Sequence, residues 1–262
     1  MMVIKGFLID LDGVLYVGGN VISGAQETIE FLKEKKIPFR FVSNTTRKCR
    51  ETIAQRLSGM GIDIPVEYIF TPPLAAVTYM KQSGRNRVYL LTTGDVHKDF
   101  EQTCSCNCSS DVDYVVIGDA GDKLTYASLN RAFRHLKSGA ELIALEKDRF
   151  WMAPDGLSLS AGPFVEALEF ATGKTPLIMG KPSLTFFELT LNDMGLSAQE
   201  TAIIGDDIIT DIGGAQSAGM KGILVRTGKF SEENISHVEI KPEYIINSIA
   251  DLRNIILDGI IP

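Results

Sequence analysis

The sequence has no apolar run long enough to cross a membrane. No stretch approaches the roughly 18 consecutive apolar residues that a spanning helix requires. The first residues also lack the order of a secretory signal, because Lys5 and Asp10 interrupt the apolar residues there. We therefore expect a cytoplasmic protein.

Positive charge is in the minority. The chain has 26 Lys and Arg against 33 Asp and Glu, which gives a formal net charge of −7. Proteins that bind nucleic acids or anionic membranes broadly depend on basic surfaces. We expect neither kind of partner.

Several cofactor motifs are incomplete. Three of the four cysteines, Cys104, Cys106 and Cys108, are crowded together, but no Cys or His pair at zinc-like spacing accompanies them. A metal or redox role stays open, although a polar loop with incidental thiols is the favoured interpretation. The run from Gly173 imitates the end of a P-loop, yet Leu168 stands where its first glycine is required. No G-x-G-x-x-G follows a predicted strand, so a nicotinamide enzyme is not indicated.

What is present is a regular alternation of strand and helix patterns. The chain has 262 residues, 45% of them hydrophobic and 23% charged, as in globular proteins with a substantial core. Alternating strands and helices predict an α/β fold with parallel sheets and right-handed crossovers. The pattern restarts near Ser83, so we predict one α/β domain, residues 1–80 and 178–262, interrupted by a smaller one, residues 81–177.

The first predicted strand ends in two aspartates, Asp10 and Asp12. Ligands of parallel sheets bind beyond the carboxyl ends of the strands, which places both carboxylates where chemistry is expected. Gly13 allows the chain to turn away sharply. Taken alone, two aspartates at a strand end are more often a turn than a site.

Polar groups follow three further predicted strands, and we expect all four ends at one edge of the sheet. These groups are Ser43 and Asn44, Lys181, and the trio Asp206, Asp207 and Asp211. Carboxylates around a shared space repel one another unless a cation lies between them, and oxygen ligands favour Mg²⁺. A lysine, a hydroxyl and a helix N-terminus suit a phosphate group. The set predicts phosphoryl transfer.

These motifs together resemble the haloacid dehalogenase-like superfamily. The carrying motifs are D-x-D-G from Asp10, Ser43-Asn44, Gly180-Lys181-Pro182 and G-D-D-x-x-x-D from Gly205. The resemblance implies a Rossmann-like parallel-sheet core interrupted by an α/β cap domain.

The resemblance also implies a role for each matching residue. Asp10 would be the nucleophile that forms an aspartyl-phosphate, and Asp12 the general acid and then the base. Mg²⁺ would be held by Asp10, by the backbone carbonyl of Asp12 and by Asp206. A carboxylate attacking a phosphate dianion needs such a cation to offset repulsion, which agrees with these roles.

The remaining site residues would bind the phosphoryl group or support the metal. Ser43 and Lys181 would bind the transferring group, with Leu11 and Asn44 beside it. Asp211, and after it Asp207, would support the metal without binding it directly. The implied activity is that of a Mg²⁺-dependent phosphatase acting on a small phosphorylated metabolite.

Spacing narrows the resemblance to one branch. About 30 residues separate Asp12 from Ser43, whereas about 140 separate Ser43 from Lys181, which leaves room for a large cap only in the second interval. This layout is similar to that of the NagD-like phosphatases, whose cap is of the second type. Further stretches are similar to the phospholysine/phosphohistidine/inorganic-pyrophosphate phosphatase group: 116–121, 161–164, 167–169, 205–208 and 225–230.

Three functions stay open. The first is hydrolysis of phosphomonoesters, favoured because Asp12 is present where some members of that group have serine. The second is hydrolysis of P–N or P–O–P bonds, and the third a catalytically silent binding protein on the same fold. Lys147 and Trp151 are candidate specificity residues of the cap, although Trp151 is as well explained by core packing. Dimerisation through the cap is common in similar proteins, so the resemblance also allows a homodimer.

Overall fold

The computed structural model describes residues 4–101, 112–153 and 155–259, together with the backbone of residues 105–106. Cys104, Cys108 and the side chain of Cys106 lie outside these residues, so the structure has no bearing on the predicted thiol cluster. Within the described chain, no helix has the length and apolar character needed to span a bilayer.

The strands form two parallel sheets and two hairpins. In chain order they are β1 (Gly6–Asp10), β2 (Tyr16–Val17), β3 (Asn20–Val21), β4 (Phe39–Val42), β5 (Ile69–Phe70), β6 (Arg87–Leu91), β7 (Ser105–Cys106), β8 (Tyr114–Ile117), β9 (Glu141–Ala144), β10 (Phe150–Ala153), β11 (Gly156–Leu159), β12 (Leu177–Ile178), β13 (Thr201–Gly205), β14 (Lys221–Val225) and β15 (Tyr244–Ile246).

Most strands are followed by a helix, as parallel pairing requires. The α-helices are α1 (Ala25–Glu34), α2 (Arg50–Gly59), α3 (Pro72–Ser83), α4 (His97–Glu101), α5 (Tyr126–Lys137), α6 (Gly162–Thr172), α7 (Leu184–Met194), α8 (Gly214–Ser217), α9 (Glu232–Ser236) and α10 (Ala250–Leu257). A π-helical segment, Ile208–Gly213, leads directly into α8.

The contacts divide the chain into two compact units. The first comprises Met1–Ser43, Ile53–Phe70 and Lys181–Pro262, and the second Asn44–Thr52 and Thr71–Gly180.

The first unit is built on a six-stranded parallel sheet in the order β15-β14-β13-β1-β4-β5. All five residues of β1 are buried, because helices cover both faces of an inner parallel strand. On one face Phe7 and Ile9 pack with Leu32 of α1 and Leu252 of α10. The central strand is thus rigidly held up to its last residue, Asp10.

The second unit has a five-stranded parallel sheet in the order β12-β9-β8-β6-β7. Its core contains Val115 and Ile117 of β8, packed with Leu136 of α5 and Val165 of α6. The β10-β11 hairpin follows β9. The predicted α/β class and parallel sheets are confirmed in both units.

One strand lies in a different sheet from the one predicted. β12, which precedes Lys181, pairs with β9 of the second sheet, Leu177 opposite Ile143 and Ile178 opposite Ala144. The prediction that four strand ends of one sheet supply the site is therefore wrong for Lys181. A short apolar run fits a buried strand of either sheet, so the sequence pattern could not choose between them.

Candidate active site

The site begins at the end of β1. Asp10 lies opposite Val42, the last residue of β4, so Ser43 is the next residue beyond the neighbouring strand end. Asp10 is buried and Ser43 is half-buried, while Asp12, two residues on, is exposed. The parallel register explains why the carboxyl ends of these two strands bring their polar residues to one edge.

Three aspartates converge at this edge. Asp10, Asp206 and Asp211 are all buried, and each offers a carboxylate oxygen within 4.8 Å of those of the other two. Asp206 follows the last residue of β13, which neighbours β1, and Asp211 comes from the π-helical segment that begins two residues later. We call these three residues the aspartate cluster.

Lys181 supplies positive charge to the cluster. Its ammonium Nζ lies 2.6 Å from Asp10 Oδ1 and 2.5 Å from Asp211 Oδ1. The lysine side chain is only 4% exposed, so this bridge is made away from solvent. Although Lys181 does not follow a strand of the first sheet, its ammonium lies against two members of the aspartate cluster.

The cluster carries more negative than positive charge. In the described part of the chain, Lys181 is the only cationic side chain that pairs with these aspartates. Burial raises the pKa of Asp10 to about 7, against the opposing effect of Lys181, and Asp211 and Asp206 raise it further. Burial also raises the pKa of Asp206 to about 6. Burial lowers the pKa of Lys181, but the Asp10 and Asp211 carboxylates raise it well above its usual range.

The backbones of two loops pack closely against Asp206 and fix the position of its carboxylate. Its Oδ2 accepts a hydrogen bond of 2.7 Å from the backbone N–H of Lys229. A Cβ at Gly13 or at Gly228 would come within 2.0 Å of the same oxygen, and both glycines have positive φ, 87° and 66°. The Thr227 hydroxyl also donates to the Gly13 carbonyl. Only glycine allows the two loops to meet against Asp206.

Asp207, predicted to support the metal after Asp211, caps the segment that carries Asp211. Its Oδ1 accepts hydrogen bonds of 3.0 Å from the backbone N–H groups of Ile209 and Thr210, which caps the π-helical segment. Its own N–H donates to Asp211 Oδ2 at 3.2 Å. Asp207 therefore orients Asp211, and it lies outside the aspartate cluster.

The donor set of the cluster suits a magnesium ion. Three buried carboxylates, of which only Asp10 and Asp211 bind the Lys181 ammonium, repel one another, and a divalent cation would offset that repulsion. Mg²⁺ prefers oxygen ligands, usually one or two carboxylates with waters and substrate phosphate. The residues present fit the ion.

Comparison with known proteins agrees with this geometry. A family model described as haloacid dehalogenase-like hydrolase matches residues 7–103, and a second, HAD-hydrolase-like, matches residues 178–252. The human phospholysine phosphohistidine inorganic pyrophosphate phosphatase is 37% identical over 262 residues, which cover 97% of this chain and 94% of that protein. The chain belongs to the haloacid dehalogenase-like hydrolases.

Solved structures place this haloacid dehalogenase-like hydrolase near the NagD-like branch. A 4-nitrophenylphosphatase from Thermotoga maritima has a TM-score of 0.87 at 31% identity and covers 96% of this chain and 97% of its own. NagD from Escherichia coli K-12 has a TM-score of 0.86 at 25% identity, with 95% and 98% covered. The predicted resemblance and fold are confirmed.

The predicted specificity residues lie in the second unit of this hydrolase. The Lys147 ammonium is engaged by Glu166 at 2.7 Å and Glu169 at 2.8 Å. Trp151, in β10, is half-buried, and the Arg47 guanidinium lies over its ring at 5.1 Å. Lys147 is thus tied to its own unit, while Trp151 presents one partly accessible ring.

Sequence reasoning missed two groups. One is the loop after β14, where Gly228 and the Lys229 N–H hold Asp206; the paired glycines at Gly13 and Gly228 were the available signal. The other is Arg47, whose Nη1 lies 3.4 Å from the buried Asp119 carboxylate. Asn44, predicted beside the phosphoryl group, is half-buried and groups with the second unit.

Proposed function

We propose that the protein is a Mg²⁺-dependent phosphatase that acts on a small phosphorylated metabolite through an aspartyl-phosphate on Asp10. The observation that carries the proposal is the aspartate cluster with Lys181 bound to Asp10. Asp10 binds an ammonium and has two further carboxylates within 4.8 Å. Such a carboxylate can attack a phosphate only if a cation also neutralises the charge of the phosphate.

Different residues of the chain would bind the metal, bind the phosphoryl group and position these ligands. Asp10, Asp206 and the Asp12 carbonyl would hold Mg²⁺, which supplies charge neutralisation for the phosphoryl oxygens. Lys181 would bind the transferring group together with Ser43, Asn44 and Leu11. Asp211 holds Lys181 and is itself oriented by Asp207, which supports a positioning role for both.

Asp12 suits proton transfer because it is exposed and two residues from Asp10. In the first step an Asp10 carboxylate oxygen attacks phosphorus, the ester P–O bond breaks, and the leaving oxygen takes the Asp12 proton. In the second step water gives a proton to Asp12 and attacks the phosphorus of the aspartyl-phosphate. The P–O bond to Asp10 then breaks, which releases inorganic phosphate and restores the carboxylate.

The direct test is turnover of p-nitrophenyl phosphate with Mg²⁺ and with EDTA. We expect turnover that EDTA abolishes and Mg²⁺ restores, and a phosphorylated enzyme that accumulates in Asp12→Asn, seen by intact mass. Asp122→Asn, in the second unit, is the matched control and should behave as wild type. Absence of metal-dependent turnover would contradict the proposal and would favour the catalytically silent alternative.

A second candidate function is hydrolysis of P–N or P–O–P bonds. The 37% identity to a phospholysine phosphohistidine inorganic pyrophosphate phosphatase supports it. Such leaving groups need less help from an acid than an alkoxide does, so Asp12→Asn should impair monoesters more than phosphohistidine. Measuring kcat/KM for a panel of sugar phosphates, phosphohistidine, phospholysine and pyrophosphate separates the two candidates.

We assign catalysis to the first unit and substrate selection to the second, acting as a cap. Trp151 and Lys147 are the proposed specificity residues, and the partly accessible Trp151 ring makes it the stronger one. Trp151→Ala should lower kcat/KM for the best metabolite more than for p-nitrophenyl phosphate. Equal losses on both substrates would instead indicate a packing role.

The β10-β11 hairpin supports a homodimer. Phe150, Met152, Leu157 and Leu159 lie on one face of it, each more than half exposed. Apolar patches of this kind mark interfaces, and a two-fold axis would place the patch against itself. Met152→Lys should therefore shift the mass measured by light scattering from dimer to monomer, whereas Phe170→Lys, an exposed site on α6, should not. A monomeric wild type would rule the dimer out.

A further inference from the structure

A cavity of about 500 Å³ opens in the first unit beside the aspartate cluster. Its walls are residues 206–209 after β13, Leu224 of β14 and part of the segment 229–238, which includes α9. Cavities of roughly 300–1,000 Å³ are the usual size for small-molecule sites. Nothing in the proposed phosphatase mechanism uses residues 231–238.

The floor of the cavity is apolar. Leu224 and Ile208 are buried, 1% and 6% exposed, and Ile235 and Val238 are half-buried beside them. A strongly hydrated ion would lose its water against such a surface without compensation. The floor therefore favours an organic molecule with an apolar face.

The charged groups of the cavity are already engaged with one another. The Lys229 ammonium lies 3.3 Å from Asp207 Oδ2, and the Lys229 N–H binds Asp206. Asp207 also accepts two backbone hydrogen bonds. Lys229, the only lysine or arginine among the described residues that line the cavity, is thus already paired, which argues against a phosphate or carboxylate ligand.

Three polar side chains of the segment 229–238, unlike the charged groups, are not engaged in hydrogen bonds with other described residues. Ser231, Asn234 and His237 line the cavity, and within the described residues their side chains make no hydrogen bond. An amide both donates and accepts, as does a neutral imidazole. The rim can therefore satisfy a ligand that presents donors and acceptors side by side.

We propose that this cavity binds an uncharged, planar heterocycle with adjacent hydrogen-bond donors and acceptors, of about nucleoside size. The apolar floor receives the ring face, and Asn234 pairs with the ring edge, as amide side chains do with adenine. The cavity borders the aspartate cluster, because Asp206 forms part of its wall and accepts the Lys229 N–H, whereas Asp10 and Lys181 are not among its lining residues.

The probe is adenosine, titrated calorimetrically into the full chain. Adenosine has no phosphoryl group, so the measurement does not depend on the proposed phosphatase activity. Wild type should bind saturably, and Asn234→Leu should weaken binding about tenfold, the effect of one lost hydrogen-bonded pair. Ile235→Trp, which fills the cavity, should abolish it. Asn254→Leu, on α10, is the matched control and should bind as wild type.

Several results would overturn the proposal. These are the absence of saturable binding to wild type, wild-type affinity in Asn234→Leu, and displacement of adenosine by inorganic phosphate, which would place it at the phosphoryl position. Circular dichroism checks that each variant is folded. Because Asn234 is exposed, its variant keeps the test decisive even if Ile235→Trp misfolds.

Discussion

Each unit of the molecule buries carboxylates, but the two do so in different ways. In the first unit, Asp10, Asp206 and Asp211 lie together, and the Lys181 ammonium bridges Asp10 and Asp211. In the second, Glu146 is 4% exposed and accepts hydrogen bonds from Ser160 Oγ at 2.8 Å, from the Ala161 N–H at 2.9 Å and from the Asp148 N–H at 2.5 Å. The aspartate cluster therefore has fewer positive than negative charges, whereas the Glu146 carboxylate is satisfied by hydrogen-bond donors.

Burial alone does not mark a site. Burial raises the pKa of Glu146 as it raises that of Asp10. Glu146, however, faces three neutral donors that tie the chain before β10 to the start of α6, so its carboxylate stabilises the fold. Asp10 faces other carboxylates, which is unfavourable unless a cation is recruited. The contrast predicts that the same kind of substitution acts on activity in one unit and on stability in the other.

The largest expected effect is that of Asp10→Asn. Removing the proposed nucleophile should lower kcat for p-nitrophenyl phosphate by about ten-thousandfold. Stability should be unchanged or higher, because one of three repelling charges is removed while Lys181 keeps Asp211 as its partner. Steady-state kinetics and thermal unfolding measure the two effects. A variant that keeps the wild-type rate would refute the assignment of the nucleophile.

Lys181→Met tests the charge balance of the aspartate cluster by removing its positive charge. It leaves three buried carboxylates with no cation, which should cost about 3–5 kcal/mol of the free energy of unfolding in EDTA. Added Mg²⁺ should recover part of this loss, because a bound cation stabilises the folded state. Urea unfolding with EDTA and with Mg²⁺ measures both quantities.

Lys229→Met is the control for that experiment. The Lys229 side chain is 72% exposed and its ion pair with Asp207 lies at the surface, so its loss should cost less than about 1 kcal/mol. Equal losses in the two lysine variants would mean that the aspartate cluster is not short of charge.

Much of the site could be predicted because strand ends are visible in sequence. The apolar runs before Asp10, Ser43 and Asp206 do form neighbouring strands of one parallel sheet. Lys181 was expected at a fourth strand end, and it reaches the cluster from a loop after a strand of the other sheet. Local patterns identify a buried strand, but its partner is chosen by tertiary packing, which no local pattern encodes.

The contact of the loop after β14 with Asp206 could not be predicted from the sequence for a related reason. Gly13 and Gly228 are about 215 residues apart, yet both pack on one oxygen of Asp206. A glycine indicates only that close approach is allowed, and not which residue approaches. The same holds for Arg47 and Asp119, which are 72 residues apart in the chain and yet form an ion pair with a buried carboxylate.

Glu146→Gln tests the prediction that the buried carboxylate of the second unit contributes to stability and not to activity. The substitution keeps the shape but points an amide N–H₂ at a backbone or hydroxyl donor, which should cost about 1–3 kcal/mol. Turnover per folded molecule should be unchanged. Trp151, the only tryptophan, lies in the adjoining hairpin, so its fluorescence during urea unfolding reports the loss. Glu166→Gln, which removes an exposed surface pair, is the control and should cost much less.

The smallest expected effect concerns Asp95, a half-buried carboxylate of the second unit. Burial acts to raise its pKa, but hydrogen bonds from Thr52 Oγ1 at 2.5 Å and from the Cys49 N–H at 2.8 Å outweigh it and lower the pKa to about 2. A folded pKa below the unfolded value of about 3.9 means that the ionised group stabilises the fold above pH ~4. That contribution is lost as the pH falls from about 4 to about 2.

Thr52→Val isolates this contribution because it removes one donor and keeps the side-chain volume. At pH 7 it should lower the free energy of unfolding by about 1 kcal/mol, and the difference from wild type should shrink as Asp95 becomes protonated. Urea midpoints between pH 2 and pH 7 measure the trend. A difference that stays constant over this range would show that the threonine acts through packing. The carboxylates of the second unit would then be held by shape more than by charge, and the contrast with the aspartate cluster would be greater still.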